Sequence, residues 1–181
     1  MSPIVAPAEF SRVFRVDDLP PGGSTVTLTA DASECAALAR RFGLLALHSL
    51  VAKVRLQPRA QQRGGGRGVE AEGSFAAEVE QSCVVTLEPV ASRPSGRFTL
   101  RFAEQAEIEA DADTELDVEA EDLPEPLVDG AFDLGEAVAE LVALAIEPYP
   151  RAPGAVFEAP AGVNEAPESP FAVLRRRSAK S

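Results

Sequence analysis

The sequence predicts an α+β domain: a mainly antiparallel, partly closed sheet of about six or seven strands packed by two helices. Three observations predict it. Polar and apolar residues alternate with period two along most of the stretch from Glu9 to Phe102, as half-buried strands require. Turn-forming residues separate these runs at short intervals, which suits sequential antiparallel pairing. Two segments switch to a period near 3.6 and carry helix start and stop signals.

In chain order, Met1 to Ala8 offers no pattern, and EFSRVFRV (9–16) reads as a first strand with apolar residues on both faces. Leu19-Pro20-Pro21-Gly22-Gly23 is a turn cluster, and STVTLTA (24–30) reads as a second strand, paired with the first in a hairpin. Asp31 or Ser33 caps a short helix through Cys35, Leu38, Ala39 and Phe42, and Gly43 ends it by supplying a left-handed residue. Cys35 then belongs to the core. From Leu44 to Leu56 the pattern is a strand with Leu50, Ala52, Val54 and Leu56 on one face. QPRAQQRGGGRG (57–68) reads as a mobile basic loop.

A long strand follows, with Val69, Ala71, Gly73, Phe75, Ala77 and Val79 inward, acidic residues outward, and the preceding strand as its partner. QSCVVTLEPV (81–90) continues into a further short strand, and RFTLRF (97–102) reads as another with Phe98, Leu100 and Phe102 inward. Between Glu107 and Glu119 every odd position is acidic, a spacing compatible with a strand or with a solvated chain. The most completely specified element lies within Leu127 to Val156. Asp133 caps it, Glu136 reaches back to close a capping box, and a stripe of Leu134, Ala137, Val138, Leu141, Leu144 and Ala145 faces the core. Pro148 stops this helix near Ile146, and Pro150 and Pro153 keep the exit extended.

At 181 residues and 45% hydrophobic content the chain suits a single domain, drawn at residues 1–158, with a flexible Pro/Ala/Glu-rich and then basic tail at 159–181. It contains no run of about 18 apolar residues and no secretory leader pattern, so the expected location is the cytoplasm, without a membrane partner. Cys35 and Cys83 are expected to be reduced thiols. The net charge of −12 is uneven: residues 1–101 carry 12 basic and 10 acidic side chains, residues 102–181 carry 5 and 19. A chain this acidic repels phosphate at long range, so RNA contact requires clustered arginines, whereas a basic protein partner is electrostatically easier.

Motifs for catalysis are sparse. Structural zinc needs about four Cys or His ligands in close pairs, and the chain has Cys35, Cys83 and His48. A Ser or Cys nucleophile needs a base, and His48, the single histidine, sits at an apolar strand entry where an ordinary packed or hydrogen-bonded role is expected. Acid/base pairs can be drawn at will from the acidic run and therefore identify nothing. The Gly64–Gly68 stretch lacks the lysine, hydroxyl and helix of a phosphate-binding loop. The expectation is no metal and no cofactor. Two arginine groups remain as weak candidates for RNA phosphates: Arg59, Arg63 and Arg67 in the basic loop, and Arg175, Arg176 and Arg177 in the tail.

Two separated blocks, QSCVVTLEPV (81–90) and DLGEAVAELVALAIEPYPRAPGA (133–155) with the closing SPFAVL (169–174), together resemble the YceD family, named for accumulation of the large-subunit ribosomal RNA. The resemblance spans roughly residues 10–175 and rests on Cys83, Asp133, Leu134, Gly135, Glu136, Glu140, Pro148 and Pro150. It implies a non-enzymatic factor supporting synthesis, processing or stability of 23S ribosomal RNA and assembly of the large subunit. Its implied partner is that RNA or a basic large-subunit protein. Many members carry further cysteines beside the central one and after the helix; here Cys83 stands alone and Tyr149, Arg151 and Gly154 occupy the later segment, so no metal-linked role is carried over. Two other readings stand beside this one: a ribonuclease or other enzyme acting on precursor rRNA, and an acidic protein adaptor that does not touch RNA.

Overall fold

The computed structural model describes residues 8–60, 67–104 and 124–157. Its spine is a ladder of two long antiparallel strands, β3 (Ala46–Ala60) and β4 (Arg67–Ser82). Alternation makes it: Leu50, Ala52, Val54 and Leu56 on β3 meet Ala77, Phe75, Gly73 and Ala71 on β4, and the four β3 side chains are at most 1% exposed. Each buried aliphatic side chain of valine size or larger contributes about 1.5–3 kcal/mol. Gly73 is needed in that row, because a methyl there would press on the Lys53 carbonyl and on the Phe98 ring.

β2 (Ser24–Thr29) lies outside β3, and β6 (Ser95–Ala103) lies on the opposite side of β4, both antiparallel. β5 (Pro89–Ser92) pairs with the last residues of β4, and β7 (Glu125–Pro126) adds a parallel two-residue contact to β6. The six-stranded sheet is antiparallel but for the β6–β7 contact, which makes it mixed, and it is open rather than partly closed; β2 and β7 end the hydrogen-bonded path without meeting. The α+β class holds.

Two helices pack on the apolar side. α1 (Ala32–Phe42) begins with a complete capping box, Asp31 accepting from Ser33 and Glu34 amides while Glu34 accepts from the Asp31 amide, and Gly43 closes it at φ 67°. Cys35, Leu38 and Ala39 are its buried face. α2 (Leu134–Ala145) ends before Pro148 as expected.

Individual elements also differ from expectation. The first strand, β1 (Val13–Arg15), is short and pairs with β8 (Ala131–Asp133), not with β2, because a 3-10 turn at Val16–Asp18 carries the chain away before the Pro-Gly cluster. Stacked rings tie this two-stranded ribbon to the main sheet: Phe132 lies 4.4 Å from Phe102 and 5.9 Å from Phe14. QSCVVTLEPV leads into the expected further short strand only after a turn; Gln81 and Ser82 end β4, Cys83–Glu88 turn, and β5 starts at Pro89. Both ends of the basic stretch are strand, since β3 runs to Ala60 and β4 starts at Arg67, and residues 61–66 lie outside the described residues. Finally, α2 buries Leu134, Gly135, Ala137, Val138, Ala139 and Val142, while Leu144 is 84% exposed and Leu141 half-buried. The small residues at 135 and 139 bring that side of the helix closest to its neighbours and turn the buried face away from Leu144. The expected strand or loop at 107–119, and the tail at 159–181, lie outside the described residues.

Candidate nucleic-acid interface

The Asp133-Leu134-Gly135-Glu136 motif clamps the start of α2 to the N-terminal segment. The Asp133 carboxylate accepts from the Gly135 and Glu136 amides at 3.0 and 3.2 Å, and also from the Arg12 amide at 2.7 Å and the Ser11 hydroxyl at 2.5 Å. Leu134 is fully buried and its amide donates to the Arg12 carbonyl at 3.0 Å. A methyl at Gly135 would sit 2.8 Å from the Arg12 nitrogen and closer still to the Phe10 carbonyl oxygen, so only glycine admits this approach. Glu136 does not close the expected capping box. It accepts both Arg41 nitrogens, at 2.7 and 2.9 Å, and Arg41 also reaches Glu9 at 3.0 Å, bridging α1, α2 and the N-terminal segment. This network holds the Arg41 guanidinium above its ordinary pKa, chiefly through Glu136. Glu140 is exposed; together with burial, the larger cause, it raises the carboxyl pKa of Glu125.

The second family block meets the helix exit. Cys83 is fully buried, and its sulfur accepts from the amides of Val85 and Thr86 at 3.4 Å and of Ala152 at 3.3 Å. The Thr86 hydroxyl hydrogen bond and these amides lower the thiol from 9.0 to about 6. The Val84 amide donates to the Pro150 carbonyl at 2.9 Å, and Gln81 Nε2 donates to the Glu147 carbonyl at 2.8 Å. Pro150 is buried and Pro148 exposed. Gln81 Oε1 is buried without a hydrogen-bond partner among the described residues. Every family-motif residue named from the sequence except Glu140 and Pro148 is thus used to hold α2 or its exit in place.

The predicted arginines divide. Arg59 ends β3 and donates to both Glu70 oxygens at 2.6 Å. Arg67 begins β4 and is held by Asp17 and by Glu104. Arg63, Arg175, Arg176 and Arg177 lie outside the described residues. His48 is exposed on β3, with Nε2 3.3 Å from Glu80 Oε2, and Cys35 is buried and unbridged. Among the described residues no three His, Cys, Asp or Glu side chains gather where they could hold a metal ion.

Sequence reasoning missed a different basic surface. Both helices and the small ribbon cover one side of the sheet, and no described element covers the other. There, register places Lys53, Ser74 and Arg97 in one cross-strand row, Arg55, Glu72 and Thr99 in the next, and Gln57, Glu70 and Arg101 in a third. With Arg59 this area holds five basic and two acidic side chains, a local balance of +3 in a chain of −12. With the Gln57 amide turned over, its oxygen accepts from the Arg55 guanidinium at 3.1 Å. Among the described residues Lys53 and Arg97 form no ion pair. Farther along β4, Glu78 and Glu80 occupy the same side, with Arg93 3.0 Å from Glu78 and His48 near Glu80. Alternation marks each of these residues as outward. Only the strand order reveals that residues 53–59 and 97–101 share one face across β4.

No helix among the described residues is long and apolar enough to cross a membrane. No curated protein and no solved structure gives a significant match to this chain. The sequence model of the family described as large ribosomal RNA subunit accumulation protein YceD matches residues 71–176, more than half of the chain. That span runs from the middle of β4 through the Cys83 turn, α2 and its exit, and the chain belongs to the YceD family.

Proposed function

We propose that the protein is a non-enzymatic, cytoplasmic factor that supports accumulation of 23S ribosomal RNA and assembly of the large ribosomal subunit by binding. The family match over residues 71–176 carries this reading. The use made of the motif supports a binding role over chemistry: Asp133, Leu134, Gly135 and Glu136 are committed to seating α2, and Cys83 to anchoring the helix exit. The open basic face supports contact with RNA over a purely protein-binding adaptor, although the overall charge of −12 suits a basic ribosomal protein as a second partner. Depletion of the protein in growing cells, with quantification of 23S rRNA and of subunits on a sucrose gradient, tests the reading. The expected result is less 23S rRNA and fewer large subunits at unchanged 16S rRNA; unchanged levels overturn it. Cleavage of a 23S precursor transcript with turnover by the purified protein would instead assign it to the enzymes.

A further inference from the structure

The outward side of β3, β4 and β6 is a sheet face that no described element covers, and the charge of its rows from Lys53 to Arg101 opposes that of the whole chain. We propose that it is the surface on which an RNA phosphodiester backbone lies, an inference that rests on the ribosomal RNA reading above and gives it a site.

Charge complementarity selects the occupant. Five of the 12 basic side chains in residues 1–101 project from these rows, against two of the 10 acidic ones. Two ridges carry them. Lys53 and Arg55 stand two residues apart on β3, as do Arg97, Thr99 and Arg101 on β6, a step of about 6.8 Å along each strand. The ridges are two strand spacings apart, about 9.6 Å, with β4 as the floor between them. Lys53 and Arg97 face each other across Ser74, which adds a hydroxyl donor.

Around them the face carries Thr25, Thr27, Thr29, Gln57, Ser95 and Thr99, groups that hydrogen-bond phosphate oxygens and ribose hydroxyls, beside the apolar Val51 and Ala76. No phenylalanine or tyrosine projects from these rows, so stacking of splayed bases, the usual means of reading single-stranded sequence on a sheet, is not provided. The face therefore recognises backbone rather than base. Glu70 is neutralised by Arg59, so within these three rows Glu72, in the floor between Arg55 and Thr99, is placed to repel the ligand.

The test uses the full chain and an in vitro transcript of a 23S rRNA domain, with affinity measured against salt. Lys53→Gln/Arg97→Gln lowers the slope of log affinity against log salt by about 1.4, the loss of two contacts on single-stranded RNA. Lys53→Glu/Arg97→Glu weakens binding about tenfold or more, and Glu72→Gln strengthens it. These residues are solvent-facing, so urea midpoints stay at the wild-type value and separate lost binding from lost folding. Unchanged affinity and slope in both double variants overturn the face as the site while leaving the rRNA role standing. If the charge-reversed protein loses ribosome association but binds the transcript like wild type, the face takes an acidic protein and the inference is wrong. Failure of the rRNA role itself is read separately, from unchanged 23S levels on depletion.

Discussion

Replacing Gly135 by alanine pits two effects of opposite sign against each other. Position 135 lies in the first turn of α2, where alanine is favoured over glycine by about 1 kcal/mol on helix propensity alone. Against this, the added methyl meets backbone atoms, the Arg12 nitrogen at 2.8 Å and the Phe10 carbonyl oxygen still nearer, and no rotamer change can move them. Restoring ordinary contact requires the helix and the N-terminal segment to part by up to about 1 Å, at an overpacking cost of about 1–3 kcal/mol. The same movement stretches three hydrogen bonds that cross this contact, Arg12 amide to Asp133, Ser11 hydroxyl to Asp133 and Leu134 amide to Arg12, each contributing about 0.5–1.5 kcal/mol. Sterics therefore win, with a net loss of about 2–3 kcal/mol, or roughly 4–12 °C in Tm. Urea unfolding followed by circular dichroism measures it. Gly22→Ala provides the matched control, since a methyl there meets nothing within 4 Å, and stability should change by no more than about 1 kcal/mol, in the stabilising direction. Should Gly135→Ala prove as stable as wild type, the clamp between α2 and the N-terminal segment is misplaced.

Two further outcomes follow from burial and titration. Leu134→Ala costs about 2–5 kcal/mol because the side chain is fully buried, whereas Leu144→Ala, at 84% exposure, stays within about 0.5 kcal/mol. Equal costs in urea titrations of the two would restore the stripe read from the sequence. For Cys83, the folded state holds the thiol near 6 against an ordinary value of 9.0, so its contribution is fully present above pH 9 and is lost as pH falls through 6. The stability difference between wild type and Cys83→Ser should accordingly widen from pH 6 to pH 9; a constant difference across that range rules out a stabilised thiolate.

Most elements of this fold are written locally. The alternation at residues 50–56, 69–79 and 98–102, the Asp31 cap and the Gly43 stop depend on neighbours in the chain, and each has its expected place. What pairs with what is not local. β1 prefers a partner some 120 residues away to the strand that follows it, because the 3-10 turn at Val16 redirects the chain, and no periodicity encodes that. The same limit hid the charged face: Lys53 and Arg97 become neighbours only through β4. Helix rotation escaped too, since a stripe counts leucines, while the approach of α2 is set by the smallness of Gly135 and Ala139. The motif residues were found, but their purpose was not, because Glu136 suits a capping box and an interhelical ion pair equally well in sequence.

The ladder joining Val13–Arg15 to Ala131–Asp133 has a consequence for synthesis on the ribosome. The N-terminal segment emerges early, yet the ladder partners of Val13–Arg15 and the Asp133 carboxylate that takes the Ser11 hydroxyl and the Arg12 amide are translated about 120 residues later. At 5–20 residues per second that is a wait of roughly 6–24 s. During it the Phe10 and Phe14 side chains lack the surface that later hides them, and the entropic cost of closing so long a loop delays native contact further. Translation thus sets the earliest moment at which this domain can complete itself, and a nascent chain stopped short of residue 133 remains an open one.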